Sequence, residues 1–299
     1  MATTQHKLTD LLDRQFIARL DAMDVLSRKI LQGKMQGERR SKRRGQSVEF
    51  ASHRPYSVGD DLRFIDWNIY ARLEHLFLKL FLEEQDLTVQ ILVDVSASTS
   101  QGEPPKGRFM RQLAAALGYV ALANNNRLTL SAFADGIVDQ LANVRGRAHV
   151  QRVAELLLTT PSAGPSGLEQ ACRQLAGSRA GSGLLIVISD LLLKEGYEQG
   201  LRRLAGPGYD LYVIQVLSPQ ELEPPMTGDL RLVDVEDDDE AEVTVSNELL
   251  RYYKKALAAY CNEIRDFCTR RGGQYMLADS SQSVEKIVLT HLRRRGLLG

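Results

Sequence analysis

Leu87-Thr88-Val89-Gln90-Ile91-Leu92-Val93-Asp94-Val95-Ser96-Ala97-Ser98-Thr99-Ser100 is the stretch on which the reading of this chain turns. Leu87 to Val93 is β-branched and largely apolar, which predicts a strand buried inside a sheet. Asp94 stands where the chain leaves that sheet, and extended alternation aims Asp94, Ser96 and Ser98 at one place. One carboxylate and two hydroxyls are hard oxygen ligands. They suit Mg²⁺, which keeps several waters, and Mn²⁺ or Ca²⁺ could use the same donors. The alternative for the pentapeptide alone is ordinary capping of a strand-to-helix loop.

Downstream, strands and helices alternate. Arg108 to Asn124 reads as an alanine-rich amphipathic helix, Arg127 to Phe133 as a strand and Ile137 to Leu141 as its hairpin partner. Helices are predicted over Ala148 to Leu158, Leu168 to Ala176 and Tyr197 to Ala205, and apolar strands over Leu184 to Ser189 and Leu211 to Leu217. Apolar strands separated by helices imply an α/β fold with a doubly wound, mostly parallel sheet. Leu230 to Val235 and Val243 to Val245 flank the acidic block Glu236 to Glu242, which makes that block the tip of a β-hairpin. Ser246 caps a long helix to about Arg271; a short strand near Tyr275 to Leu277 and a helix from Ser283 follow.

In such sheets ligands bind outside the carboxyl ends of the strands. Leu184 to Ser189 ends in Asp190, which could face Asp94 across the top of the sheet. Two like carboxylates repel unless a cation lies between them. Gly164-Pro165-Ser166-Gly167 precedes a helix, so Ser166 is either that helix's N-cap or a third hydroxyl ligand.

Upstream, Thr9 reads as the N-cap of a helix carrying Leu12, Phe16, Leu20, Met23, Leu26 and Ile30, ended by Gly33 and Gly37. The basic block Glu38 to Arg44 leads to a short strand at Ser47 to Ser52, a turn-rich segment, a run holding the single tryptophan, Trp67, and a strand at Leu76 to Leu82. This divides the chain into an N-terminal helix over 1–37, a β-rich elaboration over 38–85 packed on the main domain, and an α/β domain over 86–299. Asp60, Asp61 and Asp66 interleave with Arg54, Arg63 and Arg72, a set suited to Arg–carboxylate contacts that hold an irregular segment, with Trp67 as an apolar anchor.

Asp94, Ser96 and Ser98, with Ser166 and Asp190, resemble the metal-ion-dependent adhesion site of von Willebrand factor type A domains. That family has DxSxS after its first strand, a threonine in a later loop and an aspartate at a later strand end. Ser166 stands where threonine is usual, and Leu191 where a glycine often follows the aspartate. The resemblance implies that water or an acidic side chain of a partner completes the metal sphere. The upstream segment narrows it. Glu49-Phe50, Arg54-Pro55-Tyr56, Gly59-Asp60-Asp61, Arg63, Ile65-Asp66-Trp67, Ala71-Arg72, Lys79 and Glu83-Glu84 resemble the bacterial family called domain of unknown function 58. Its members are commonly encoded beside MoxR-type AAA+ ATPases. The resemblance therefore implies an adaptor that binds protein and does not catalyse, with such an ATPase or its client as partner.

Other classes fit less well. A phosphotransferase or phosphatase using Asp94 needs a second carboxylate and a lysine nearby; Ser96 occupies the position two after Asp94, and Lys106 lies in a Pro/Gly-rich stretch. A nucleic-acid module could use Arg39 to Arg44, but that block lacks interleaved aromatics and the net charge is zero. Cys172, Cys261 and Cys268 include no CxxC pair, which suits a reducing compartment. With no secretory-type apolar segment near Met1 and no transmembrane-length run, a cytoplasmic protein without membrane insertion is expected.

Overall fold

A computed structural model describes residues 7–25, 49–82, 87–177, 183–205, 208–225, 228–236 and 239–299. Two compact units emerge: Met1–Met35 with Leu87–Gly299, and Gln36–Asp86. In chain order the helices and strands are α1 (Arg14–Leu20), β1 (Glu49–Pro55), α2 (Trp67–Leu73), β2 (Phe77–Leu82), β3 (Thr88–Asp94), α3 (Lys106–Ala123), β4 (Arg127–Ala134), β5 (Gly136–Arg145), α4 (Val150–Thr159) and α5 (Leu168–Gly177). They continue with β6 (Gly183–Ser189), α6 (Glu198–Leu204), β7 (Tyr209–Leu217), α7 (Pro219–Leu222), β8 (Gly228–Val233), β9 (Glu240–Val245), α8 (Asn247–Arg270), β10 (Gln274–Asp279) and α9 (Val284–Lys286), the last running on into a π-helical turn at Ile287–Leu292.

The large unit is built on a six-stranded sheet in the order β10-β7-β6-β3-β4-β5. All neighbours are parallel except β5, which returns antiparallel beside β4. The doubly wound, mostly parallel α/β fold expected from the strand pattern is therefore the fold found. Its strands are apolar because both faces are covered. On β3, Val89, Ile91 and Val93 join one core with Leu113 and Leu117 of α3, while Leu92 joins the other with Phe267 and Ile264 of α8. Burying one such leucine or isoleucine contributes about 1.5–3 kcal/mol, so the alternation anchors β3 from both sides.

From β3 the chain winds first to β4 on one side, then to β6, β7 and β10 on the other. The crevice between β3 and β6 is therefore the topological switch point, where open α/β sheets bind ligands. Val93 pairs with Ile188, so Asp94 and the Ser189-Asp190 pair emerge side by side from the carboxyl edge.

The N-terminal helix differs from the reading of its spacing. A 3₁₀ turn at Leu8–Asp10 comes first, and Asp13, not Thr9, caps α1 by accepting the Phe16 amide at 2.8 Å. α1 ends at Leu20 because tertiary partners take the next turn. Tyr119 Oη donates to Asp21 at 2.7 Å, Asn124 Nδ2 donates to the Met23 carbonyl at 2.6 Å, and Val25 bridges Leu298. Leu8, Leu12, Phe16, Leu20 and Met23 all enter the core of the large unit. The remainder of that helix, Leu26 to Gly37, and the basic block Arg39 to Arg44 lie outside the described residues.

In the small unit β1 and β2 form an antiparallel pair. Arg54 clamps Asp60 with two 2.7 Å bonds, and Asp60 also accepts the Ser57 amide at 2.8 Å across the turn that holds Gly59 at φ 106°. These bonds from Arg54 and Ser57 hold the Asp60 carboxyl below its ordinary pKa. Arg63 pairs with Asp61 at 2.6 Å, and the Tyr56 amide donates to Leu76 O. Asp66 accepts from the Asn68 and Ile69 amides, capping α2, and meets His53 Nε2 at 2.9 Å. Arg72 lies in the last turn of α2. Trp67 is not the buried anchor its size suggests: it is 61% exposed and meets Tyr70 edge-on at 6.0 Å.

Candidate functional site

The end of β3, the turn after it, the loop before α5 and the end of β6 bring Asp94, Ser96, Ser98, Ser166 and Asp190 together. Asp94 is 1% exposed, and each of its oxygens is engaged. Oδ1 accepts the Ser96 amide at 2.9 Å; Oδ2 accepts Ser189 Oγ at 2.7 Å and Ser166 Oγ at 3.1 Å. Ser96 Oγ and Ser98 Oγ are 3.0 Å apart, and Ser98 Oγ donates to Asp190 Oδ2 at 3.2 Å. The Ser166 hydroxyl thus turns to the site, on a loop that Gly164, at φ 79°, and the Ala97 amide bond to its carbonyl hold in place. Burial first, and the Asp190 charge second, push the Asp94 carboxyl up to about 6, against the pull of the Ser189 and Ser96 hydrogen bonds.

Four further residues belong to this site. Lys106, the first residue of α3, is 1% exposed, and its Nζ lies 2.6 Å from Asp190 Oδ2 and 2.5 Å from Glu221 Oε1. Burial lowers the basicity of this ammonium, but Asp190 and Glu221 together raise it above its ordinary value. Glu221 is held ready by α7: its Oε2 accepts the Ser218 amide at 2.7 Å, leaving Oε1 for Lys106. Ser189 supplies the shortest bond to Asp94. From the acidic block, Glu236 Oε2 accepts the Ser166 amide at 3.1 Å and Asp239 pairs with Lys194 at 2.9 Å, joined by Asp234 just before the block at 3.0 Å. The block is thus more than a solvated hairpin tip.

Lys106 carried a signal that sequence reasoning passed over. In a βαβ unit the helix after β3 starts at the carboxyl edge of the sheet, so its first residue faces the site. A lysine there opposes the helix dipole and requires a carboxylate partner. The close start of α3 depends on Gly107, where a Cβ would stand 2.9 Å from Thr99 O.

A cleft of about 290 Å³ opens beside these groups, lined by Ser98, Lys106, Ser166, Asp190, Glu221 and Glu236 among others. Among the described residues no three His, Cys, Asp or Glu side chains gather into a metal cage. The donors here are two carboxylates with three hydroxyls, a set that fits a small hard cation retaining waters. The charge is compatible with a cation: Asp190 and Glu221 share the Lys106 ammonium, while burial first and the neighbouring Asp190 charge second push the Asp94 carboxyl up.

No described helix is long and apolar enough to cross a membrane. Among relatives, an uncharacterized protein of Mycobacterium tuberculosis is 27% identical over 257 residues, 84% of this chain and 80% of the relative. One of Mycobacterium avium is 28% identical over 159 residues, 51% of this chain and 93% of the relative. Solved structures with similarity include the conserved hypothetical protein BatB from Bacteroides thetaiotaomicron, 16% identical with a TM-score of 0.43 over 70% of this chain and 98% of that one. Another is a von Willebrand factor type A protein from Catenulispora acidiphila, 10% identical with a TM-score of 0.41 over 74% of this chain and 43% of that one. The family model described as protein of unknown function DUF58 matches residues 52–263, well over half of the sequence, and the chain belongs to that family.

Proposed function

We propose that this protein is a non-enzymatic protein-binding module whose Asp94, Ser96, Ser98, Ser166 and Asp190 hold Mg²⁺, and that the ion presents an open coordination position to an acidic side chain of a partner. The observation that carries this reading is the convergence of two buried carboxylates and three hydroxyls at the switch point of the sheet, beside an open cleft. When bound, the ion supplies the positive charge that the carboxylates lack and a Lewis-acid position for the partner's oxygen. Asp94 orients the Ser96 turn and the Ser166 hydroxyl; Asp190 fixes Ser98. By resemblance, a MoxR-type AAA+ ATPase or its client is the first partner to try.

Calorimetric titration of Mg²⁺ into wild type and Asp94→Ala tests the reading. Binding at millimolar metal or below by wild type alone is expected, together with a partner retained by wild type and lost by the variant. Equal signals in both, or none in either, overturn it.

A second reading, Mg²⁺-dependent phosphotransfer, gains from Asp190 beside Asp94 and from Lys106 paired to that second carboxylate, the three groups such chemistry uses. It is disfavoured because Asp94 is buried away from an incoming phosphoryl group and Ser96, not a second carboxylate, stands two residues after it. A beryllofluoride adduct on Asp94 would reverse that choice.

A further inference from the structure

We propose that Lys106 is the resident cation of this site, and that its ammonium must release Asp190 to Glu221 before a divalent ion can bind. The proposal rests on the metal-binding reading above and adds its control.

The geometry is that of a shared cation. Nζ touches the outer oxygen of Asp190 at 2.6 Å and Glu221 Oε1 at 2.5 Å. Ser98 Oγ, itself a candidate ligand, donates to the same Asp190 oxygen at 3.2 Å. The Leu192 amide takes the other oxygen, Oδ1, at 3.1 Å, so an ion bound beside Ser98 meets the oxygen the ammonium already holds. An ammonium and a divalent ion a few ångströms apart repel strongly in a buried place. Lys106 starts α3, whose backbone at Gly107 packs closely on Thr99, so the exchange falls to the flexible lysine side chain. Glu221 is the group that receives it, since its other oxygen is tied to Ser218 and stays in place throughout.

Two consequences follow. Without metal, Lys106 keeps Asp190 from standing as an unpaired buried charge, so the site stays folded when metal is scarce. With metal, part of the binding energy goes into displacing the ammonium, so affinity is lower than the five oxygen donors alone would give. The lysine thus sets the metal concentration at which the site becomes competent for a partner.

The experiment measures Mg²⁺ and Mn²⁺ binding by calorimetry, and thermal unfolding with and without metal, for wild type, Lys106→Met, Glu221→Gln and Asp94→Ala/Lys106→Met. Lys106→Met should bind Mg²⁺ at least about tenfold more tightly, about 1.4 kcal/mol. Its metal-free Tm should fall and should recover more on adding Mg²⁺ than that of wild type. Glu221→Gln should bind more weakly than wild type, because the ammonium then has no second carboxylate, and the double variant should not bind. Binding in Lys106→Met but not in wild type shows an ammonium that is never released, and overturns both the exchange and metal use by the native protein. Wild-type binding that Lys106→Met matches or loses overturns the inference and leaves the metal reading standing. If Lys106→Met does not fold without metal, the Glu221→Gln titration decides: affinity equal to or above wild type overturns the proposal. Absence of binding in every variant overturns both.

Discussion

Replacing Asp94 by asparagine removes a buried charge while keeping nearly the same shape, and it should stabilise the metal-free protein at neutral and alkaline pH. The Asp94 carboxyl is pushed from its ordinary 3.8 to about 6, by burial first and by Asp190 second. Between those values the folded protein holds a proton that the unfolded chain has lost, so stability falls as pH rises through this window. Linkage puts the cost at about 3 kcal/mol at pH 8, roughly half of that at pH 5 and under about 1 kcal/mol at pH 4. Asparagine keeps the Oδ1 acceptor for the Ser96 amide, but its amide nitrogen replaces the oxygen that accepts from Ser189 and Ser166. Reversing those hydroxyls costs about 1 kcal/mol. The variant should therefore gain about 2 kcal/mol at pH 8 and lose its advantage between about pH 4 and 5. The assay is thermal unfolding in chelator across pH, where each kcal/mol moves Tm by about 2–4 °C in a unit of this size. A variant less stable than wild type at pH 8, or a difference that does not change with pH, refutes the reasoning. Added Mg²⁺ should reverse the order, since an ion held at a hundred times its Kd stabilises wild type alone by about 2.7 kcal/mol.

Two further outcomes are expected. Asp66→Ala removes the cap of α2 and the partner of His53, and should cost about 1–2 kcal/mol, read as faster amide exchange at Asn68 and Ile69 with the Asp94 region unaffected. The three buried cysteines should not react with a thiol reagent at pH 8 until the protein unfolds, because burial pushes the Cys268 thiol up to about 12 and all three side chains lie in the core; prompt native-state labelling of any of them contradicts the packing.

The strands were legible because burial on both faces writes itself as unbroken apolar runs, and with them came Asp94, the last residue of β3, and Asp190, the first past β6. What stayed hidden depended on contacts between distant segments. Leu12, Phe16, Leu20 and Met23 keep helical spacing, yet the chain leaves the helix after Leu20 because Tyr119, Asn124 and Leu298 hold the next residues. Trp67 shows the reverse case: hydrophobic size predicts burial, but an exposed aromatic is decided by what surrounds it, which a single chain does not encode locally. Glu221 and Glu236 lie far along the sequence from Asp94, on a short helix and a hairpin whose placement no periodicity reveals.

Leu191 looks like a defect beside Asp190 and is not one. The residue after Asp190 is often glycine in the type A pattern, and here it adopts φ 56°, the left-handed region that glycine enters freely. A leucine there costs about 1–2 kcal/mol in backbone strain. Its side chain is fully buried among Tyr197, Leu217 and the α8 residues, a gain of about 1.5–3 kcal/mol that offsets the strain. The backbone is also fixed from both directions: the Leu191 amide donates to Ser189 Oγ at 3.0 Å, and the Leu191 carbonyl accepts Tyr260 Oη at 2.5 Å. Ser189 is the same hydroxyl that donates to Asp94 at 2.7 Å. One serine therefore ties the strained turn to the central carboxylate, and the buried Leu191 side chain helps hold the strand end that carries Asp190.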